Sequence, residues 1–399
     1  MLGAVVRDSG HQPIGWRLVW PLWLALLMLW PCMAVGANPP THVQFAGFAI
    51  TGDAAGSNAS VQVLIPMIQG EAAVARNQRL LAAAQGAAPQ WIQLQTEGLA
   101  ALDGSTSALA VAAAIDRESI LVEEVAGQWK LAVEIAGQAL FFDFREKQVI
   151  ASVPVTVQHI DVVDHEPSEA ERGDALRRLL DDTGPKGFVA VMAQAIASAK
   201  LPGPAALRMQ LTEVSLAEGV LRGYPQLEAK AYSGLVGHEF TKHFGAGTGL
   251  ALLPYRSGQA IGGAMAARFA DGRVYNLRIP ETDYAIRLRI DRVAQRAIEQ
   301  TAALERRLYG VFFHVIVEEP LSGKRFLDQS LRQGATKLIP ATQSVVDDGA
   351  AFYDTLLEGF ASVAAAAQGR ADPWLAEQPG GREARNEWTA LKELIEQCR

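Results

Sequence analysis

Residues 139–155, ALFFDFREKQVIASVPV, and residues 314–330, HVIVEEPLSGKRFLDQS, decide how the fold is read. Each is an apolar run, a short charged or Gly/Pro-bearing turn, and a second apolar run. That is the pattern of two antiparallel strands joined by a tight turn. Outward from the first, Ile120 to Val125, Trp129 to Phe144 and Val149 to Val162 make a three-stranded meander. Beside the second, Tyr284, Ile286, Leu288 and Ile290 alternate with Arg287 and Arg289, which marks a half-buried strand. Each meander leads, past a polar insert, to an apolar helical stretch: FVAVMAQAIASA at 188–199 and FYDTLLEGFASVAAA at 352–366. The expected fold class is α+β, with two α/β modules whose largely antiparallel meander sheets are flanked by helices. The likeness between the halves reads as a weak internal duplication, with slight identity.

The rest of the chain is placed around these anchors. VQFAGFAI (43–50) and VQVLI (61–65) read as strands, and EAAVARNQRLLAAAQ (71–85) as a helix. The Ala-rich STSALAVAAAIDRE (105–118) reads as a second helix capped by Ser105, and 206–216 as another strand. The expected division is a leader at 1–37, a first α+β domain at 38–230, a second at 231–368, and a linker with a C-terminal amphipathic helix at 369–399. In that helix Trp388, Leu391, Leu394 and Ile395 share one apolar face, which must dock on its own domain or on a partner.

Arg7 and Arg17 flank a short apolar run ending in Val35-Gly36-Ala37. These are the parts of a secretory signal peptide with cleavage after Ala37, so the expected location is periplasmic or secreted. The alternative is a membrane-tethered protein that keeps the segment, although Pro21 and Pro31 interrupt it. Leu29-Trp30-Pro31 before Cys32 is a poor lipid-attachment box. The cysteines are Cys32 and Cys398, so a chain cut after Ala37 keeps one thiol and has no internal disulfide. Formal net charge is -7, and it becomes -8 when Arg7, Asp8 and Arg17 leave with the leader. An acidic balance argues against nucleic acid as a partner.

A strand ending in acid, a turn such as PLSGK, a returning strand and a closing helix resemble the α/β module of envelope assembly proteins. The TolB amino-terminal domain and the curli-secretion lipoprotein carry that module. The resemblance spans residues 119–200 and 284–365, two copies. It departs from the pattern in lacking a lipid-attachment box and, in the second half, a clear opening strand. It implies a non-catalytic envelope role and carries over no functional residue.

The segment GHEFTKHFG (237–245) sets His238, Glu239 and His243 in a row like that of a zinc protease. The zincin arrangement needs its histidines four residues apart, on one helical face. Five residues at about 100° each leave these two about 140° apart, so a polar helix end with Phe240 and Phe244 turned inward is the expected outcome. His159, Asp161 and His165, with Asp164, form a second metal candidate at a strand end. Arg287 and Arg289 are candidate ligands for an anion, with cross-strand pairing to Glu318 as the alternative. GAGTG (245–249) lacks the spacing of a phosphate loop, and no Gly-x-Ser-x-Gly elbow or Ser-x-x-Lys signature is present. Asn58-Ala59-Ser60 fits a glycosylation acceptor. No cofactor motif reads out. The expected protein is a non-catalytic envelope binding or assembly protein, acting on an envelope partner or by self-association. Strand edges, the terminal helix and the Gly-rich 245–263 segment are its expected surfaces, the last also compatible with membrane contact. The alternative is a metal-dependent hydrolase using HEFTKH.

Overall fold

Asp143 makes the first meander turn back on itself. Its Oδ1 accepts the N–H groups of Arg145 (2.8 Å) and Glu146 (2.9 Å), and Lys147 adopts φ +49°. Strand β4 (Gln128–Asp143) thereby reverses into β5 (Gln148–Val163), and β3 (Leu109–Val125) pairs antiparallel along the other side of β4. In the second meander Gly323, at φ +70°, turns β10 (Leu304–Glu319) into β11 (Lys324–Pro340). Strand β9 (Tyr284–Gln300) pairs antiparallel along the other side of β10. The computed structural model describes residues 41–51, 61–87, 92–95, 108–125, 127–203, 206–223, 229–255, 263–343 and 346–399. The expected leader at 1–37, with Cys32, and Asn58 lie outside them.

The fold is α+β, with two mixed sheets. The first has the order β2-β1-β3-β4-β5-β8-β7, where β1 is Thr41–Thr51, β2 Ile92–Gln95, β7 Ala264–Phe269 and β8 Val274–Arg278. Strand β7 also pairs back onto β1, at Ala49↔Phe269 through Thr51↔Ala267, so six strands close into a ring. Inside it lie Ala110, Ala112, Ala114, Leu140, Phe142, Met265 and Phe269. Outside, Val111, Ile115, Ile135 and Phe141 meet helices α2 (Gly70–Ala87), α3 (Glu169–Asp181) and α4 (Phe188–Ser198). A one-turn helix, α1 (Ile65–Ile68), precedes α2.

The Ala-rich stretch read as a helix at 105–118 is therefore the first half of β3, with residues 101–107 outside the described set. The reason is packing on both faces. Inside the ring the methyl groups of Ala110, Ala112 and Ala114 pack against Leu140, Phe142, Met265 and Phe269, while the outer side is covered by helices. A strand buried on both faces loses the alternation that marks strands.

The second sheet has the order β11-β10-β9-β6, with β6 (Met209–Leu216) parallel to β9. This strand is the opening strand that the sequence did not make clear. The inner face, with Tyr309, Phe313, Val315 and Leu331, packs against α5 (Ala229–Thr248), α6 (Asp348–Ala367) and α8 (Gly381–Gln397). A short α7 (Asp372–Ala376) leads into α8. The apolar face of α8 docks on its own chain: Leu391, Leu394 and Ile395 are buried, and Trp388 stands edge-on to Trp374 at 6.4 Å.

Both sheets repeat one connectivity: an opening strand, a helix, a meander whose first strand lies parallel to that opening strand, and a closing helix. The β7–β8 hairpin interrupts the repeat, because it leaves the second half to close the ring of the first. Residues 252 and 253 join the sheets by bridging Ser152 of β5 and Gln210 of β6. The glycines before them serve packing. Gly247 lets α5 approach α6 so closely that a Cβ there would lie 2.5 Å from Ala364 Cβ, and Gly249, at φ +73°, ends α5. Leu250, Leu252 and Leu253 are buried. Residues 256–262 of the Gly-rich stretch lie outside the described set.

Candidate functional site

The HEFTKH segment is helical and lies on α5 between the two sheets. Tyr232, Val236, Phe240 and Phe244 turn toward the second sheet's core, with Phe240 edge-on to Phe360 at 5.2 Å. The opposite side meets β5. There His238 Nε2 donates to the Val155 carbonyl at 3.1 Å, while its Nδ1 stands 4.0 Å from Asp116 Oδ2. Asp116 is the extra residue of a bulge in β3, between Ile115↔Gly137 and Arg117↔Ala136. A bulge re-aims one side chain, and here the carboxylate accepts from Thr51 Oγ1 and Gln138 Nε2 at the ring's end.

Glu239, only 1% exposed, accepts from Thr156 Oγ1 at 2.5 Å. It also pairs with Lys242, and His243 Nε2 stands 3.7 Å from its Oε2. Burial pushes the Glu239 carboxyl up, but Lys242, His238 and the bonds from Lys242 and Thr156 outweigh it and hold the group below its ordinary value. Burial pushes the His238 imidazole down against the pull of Asp116 and Glu239. Burial, then Lys242, does the same to His243 against Glu239. The two imidazoles thus face different carboxylates, Asp116 and Glu239. Among the described residues no group of three or more His, Cys, Asp or Glu side chains is arranged to hold a metal ion. The arrangement locks α5 to the first sheet.

The second metal candidate is similarly divided. His159 Nε2 meets Asp161 Oδ1 at 2.8 Å, and Asp161 also faces Arg178. His165 bridges Asp164 (2.9 Å) and Glu171 (3.0 Å). Glu171 belongs to the capping box of α3 with Ser168, whose hydrogen bonds hold its carboxyl at about 2.

Arg287 pairs with Glu318 at 3.0 Å, and Arg289 with Asp291 at 2.5 Å, so both candidate anion ligands already carry a carboxylate. Further along the same face the situation changes. The outer face of the second sheet presents His314, Phe312, Gly310, Leu308 and Arg306 on β10, with Arg292 and Arg296 beside them on β9 and Arg332 on β11. The Arg292 guanidinium lies 4.1 Å from the Phe312 ring centre, and Arg332 donates to the Glu377 carbonyl. None of Arg292, Arg296 and Arg332 has a carboxylate partner among the described residues. The bulge at Asp291 hides this row in the sequence, because it breaks the two-residue alternation after Arg289.

The edges of this sheet are covered at one end and open at the other. On β11 the Arg332 N–H donates to Gln378 Oε1 (2.9 Å), Gln378 Nε2 donates back to the Arg332 carbonyl (3.1 Å), and Glu387 accepts the Asp328 N–H (2.8 Å). Gln378, just before α8, and Glu387, on α8, thus do what a neighbouring strand would do. On β9, strand β6 covers Tyr284 to Ile290. Beyond those points Asp291–Gln300 and Gly334–Pro340 have no strand on their outer edges among the described residues. Ile298, Leu308 and Leu338 are exposed there, Leu338 to 64%.

No protein-family model matches the chain, and no curated protein matches it. Among solved structures, a minor lipoprotein from Acinetobacter baumannii aligns with 43% of this chain and 96% of its own, at 9% identity and a TM-score of 0.20. A likeness of that size bears on neither fold nor function.

Proposed function

We propose that the chain is a non-catalytic envelope protein that works by binding, through the open end of its second sheet. The observation that carries this reading is the contrast along β9 and β11. Each edge is satisfied by β6 or by Gln378 and Glu387 for half its length, then left bare. Bare edges of regular strands are templates for pairing, which natural proteins normally cover or blunt. Strand addition at such an edge is a recurrent mode of protein recognition. Location in the envelope rests on the leader-like composition of residues 1–37. The hydrolase alternative needs His238 and His243 on one ion, whereas each faces its own carboxylate.

A photo-crosslinking side chain placed at Ala297 or Thr336 in the producing cell tests the reading. Discrete adducts in the envelope fraction are expected from those positions and not from Ser330, on the covered half of β11. Equal labelling from all three, or none, would overturn it. Mass spectrometry of the native protein, with an expected start at Asn38, tests the location.

A further inference from the structure

The bare length of β9 is a vacant strand position in line with β6. Strand β6 runs parallel to β9 from Met209↔Tyr284 to Leu216↔Ile290, and Ala217 N–H donates to the Ile290 carbonyl at 2.9 Å. There the chain turns away into a 3-10 turn at Val220–Gly223. The Ile290 carbonyl faces the β6 side, and backbone groups alternate sides along a strand. Carried past the bulge at Asp291, this puts the N–H groups of Val293, Gln295 and Ala297 on the free edge. The same alternation correctly places Arg332 N–H on the outer edge of β11, where Gln378 receives it.

The side chains beside that slot select its occupant by charge. Arg292 and Arg296 flank it on the outer face, exposed and without a carboxylate. The nearby acids are engaged: Glu299 holds Arg306 at 3.0 Å, and Asp291 holds Arg289. On the inner side Gln295 donates to Asp348 Oδ2 at 3.0 Å, and Val293 and Ala297 are apolar. The slot is thus cationic on one face and near neutral on the other, in a chain whose net charge is -7. We infer that the free edge of β9 takes an extended, acidic segment of a partner protein, added as a strand in line with β6, with Arg292 and Arg296 pairing its carboxylates. Main-chain hydrogen bonds supply the affinity and the two guanidiniums the selectivity. A segment of about six to eight residues fits the bare length, with acidic and small neutral residues alternating.

This inference rests on the docking role proposed above, and the test separates the two. The probes are a labelled peptide of about eight residues alternating Glu and Thr, its Lys-for-Glu counterpart, and phosphatidylglycerol vesicles, read by fluorescence anisotropy and co-sedimentation. The full chain is expected to bind the glutamate peptide at least about tenfold more tightly than the lysine peptide. The double variant R292E/R296E is expected to lose that preference. Ala297→Pro, which removes one edge donor at an exposed position, is expected to weaken the glutamate peptide about tenfold. Binding that R292E/R296E leaves unchanged overturns the acidic occupant while the edge reading stands, provided Ala297→Pro still weakens it. Binding that Ala297→Pro leaves unchanged, or binding to the vesicles alone, overturns the strand geometry and makes the site a charged face. No binding of either peptide, with no protection of the Val293, Gln295 and Ala297 amides from exchange, overturns both readings.

Discussion

Replacing Lys242 by Met removes the charge that balances buried Glu239 within α5, the carboxylate that takes a hydrogen bond from Thr156 of the first sheet. Glu239 is 1% exposed, and its donors are Thr156 Oγ1 and the Lys242 ammonium. Without the ammonium, a buried carboxylate keeps one hydroxyl donor and an imidazole 3.7 Å away that burial holds toward its neutral form. At an effective dielectric near 20, two charges about 4 Å apart attract by about 4 kcal/mol. The Lys242 side chain is 27% exposed, so solvent screens part of that, and a loss of about 3 kcal/mol follows, in line with breaking a buried pair from one side. Glu239→Gln on its own strands a lysine that still reaches water, and costs about 1 kcal/mol. The double variant loses far less than the sum, with a coupling of about 2 kcal/mol. Urea unfolding of the four proteins at pH 7.5, followed by tryptophan fluorescence, measures each number. A Lys242→Met cost below about 0.5 kcal/mol, or strict additivity, would refute the reading of Lys242 as the charge that stabilises buried Glu239.

Three further outcomes follow from the same structure. His238 and His243 are held below the ordinary histidine range, so as pH falls the unfolded chain takes up protons before the folded one. Stability is therefore full above about pH 6.5 and falls as pH drops through that value toward the folded-state values, by up to about 1.4 kcal/mol per pH unit for each histidine titrating. Exposed His165, raised by Asp164 and Glu171, acts in the opposite sense, and His238→Gln should flatten the measured loss if the buried ring dominates. Trp388→Ala removes a side chain that is 4% exposed and stands against Trp374. It should cost about 3–5 kcal/mol in urea unfolding, and a cost under about 1 kcal/mol would mean that α8 is not docked. Burial, then Asp283, pushes the Cys398 thiol up to about 12, so it should resist Ellman's reagent at pH 8 until denaturant is added, whereas prompt reaction would count against the buried C-terminus.

Much of the architecture was legible because side-chain pattern and turn chemistry agreed. The DFREK and PLSGK turns, the Arg287–Ile290 alternation and the Trp388–Ile395 stripe all correspond to elements of the structure. What escaped reading depends on neighbours distant in sequence. Ala110, Ala112 and Ala114 look helical until β7, far later in the sequence, closes the ring and buries them against Phe142, Met265 and Phe269. Asp116 carries no motif, and only the bulge and the approach of α5 make it a partner for His238. In the HEFTKH segment each histidine stands beside its own carboxylate, His238 near Asp116 of β3 and His243 near Glu239 of the same helix, a pairing that residue spacing alone does not reveal. Whether a strand edge is bare is likewise not written in that strand, because it depends on where β6 stops and where Gln378 lands.

Residue-resolved amide hydrogen exchange on the free protein tests most directly whether the second sheet offers a bare edge. The amides of Val293, Gln295 and Ala297 should exchange orders of magnitude faster than those of Arg292, Ala294 and Arg296, whose N–H groups face β10. Uniform protection of all six would mean that the edge is already covered in solution, and the binding account built on it would fall.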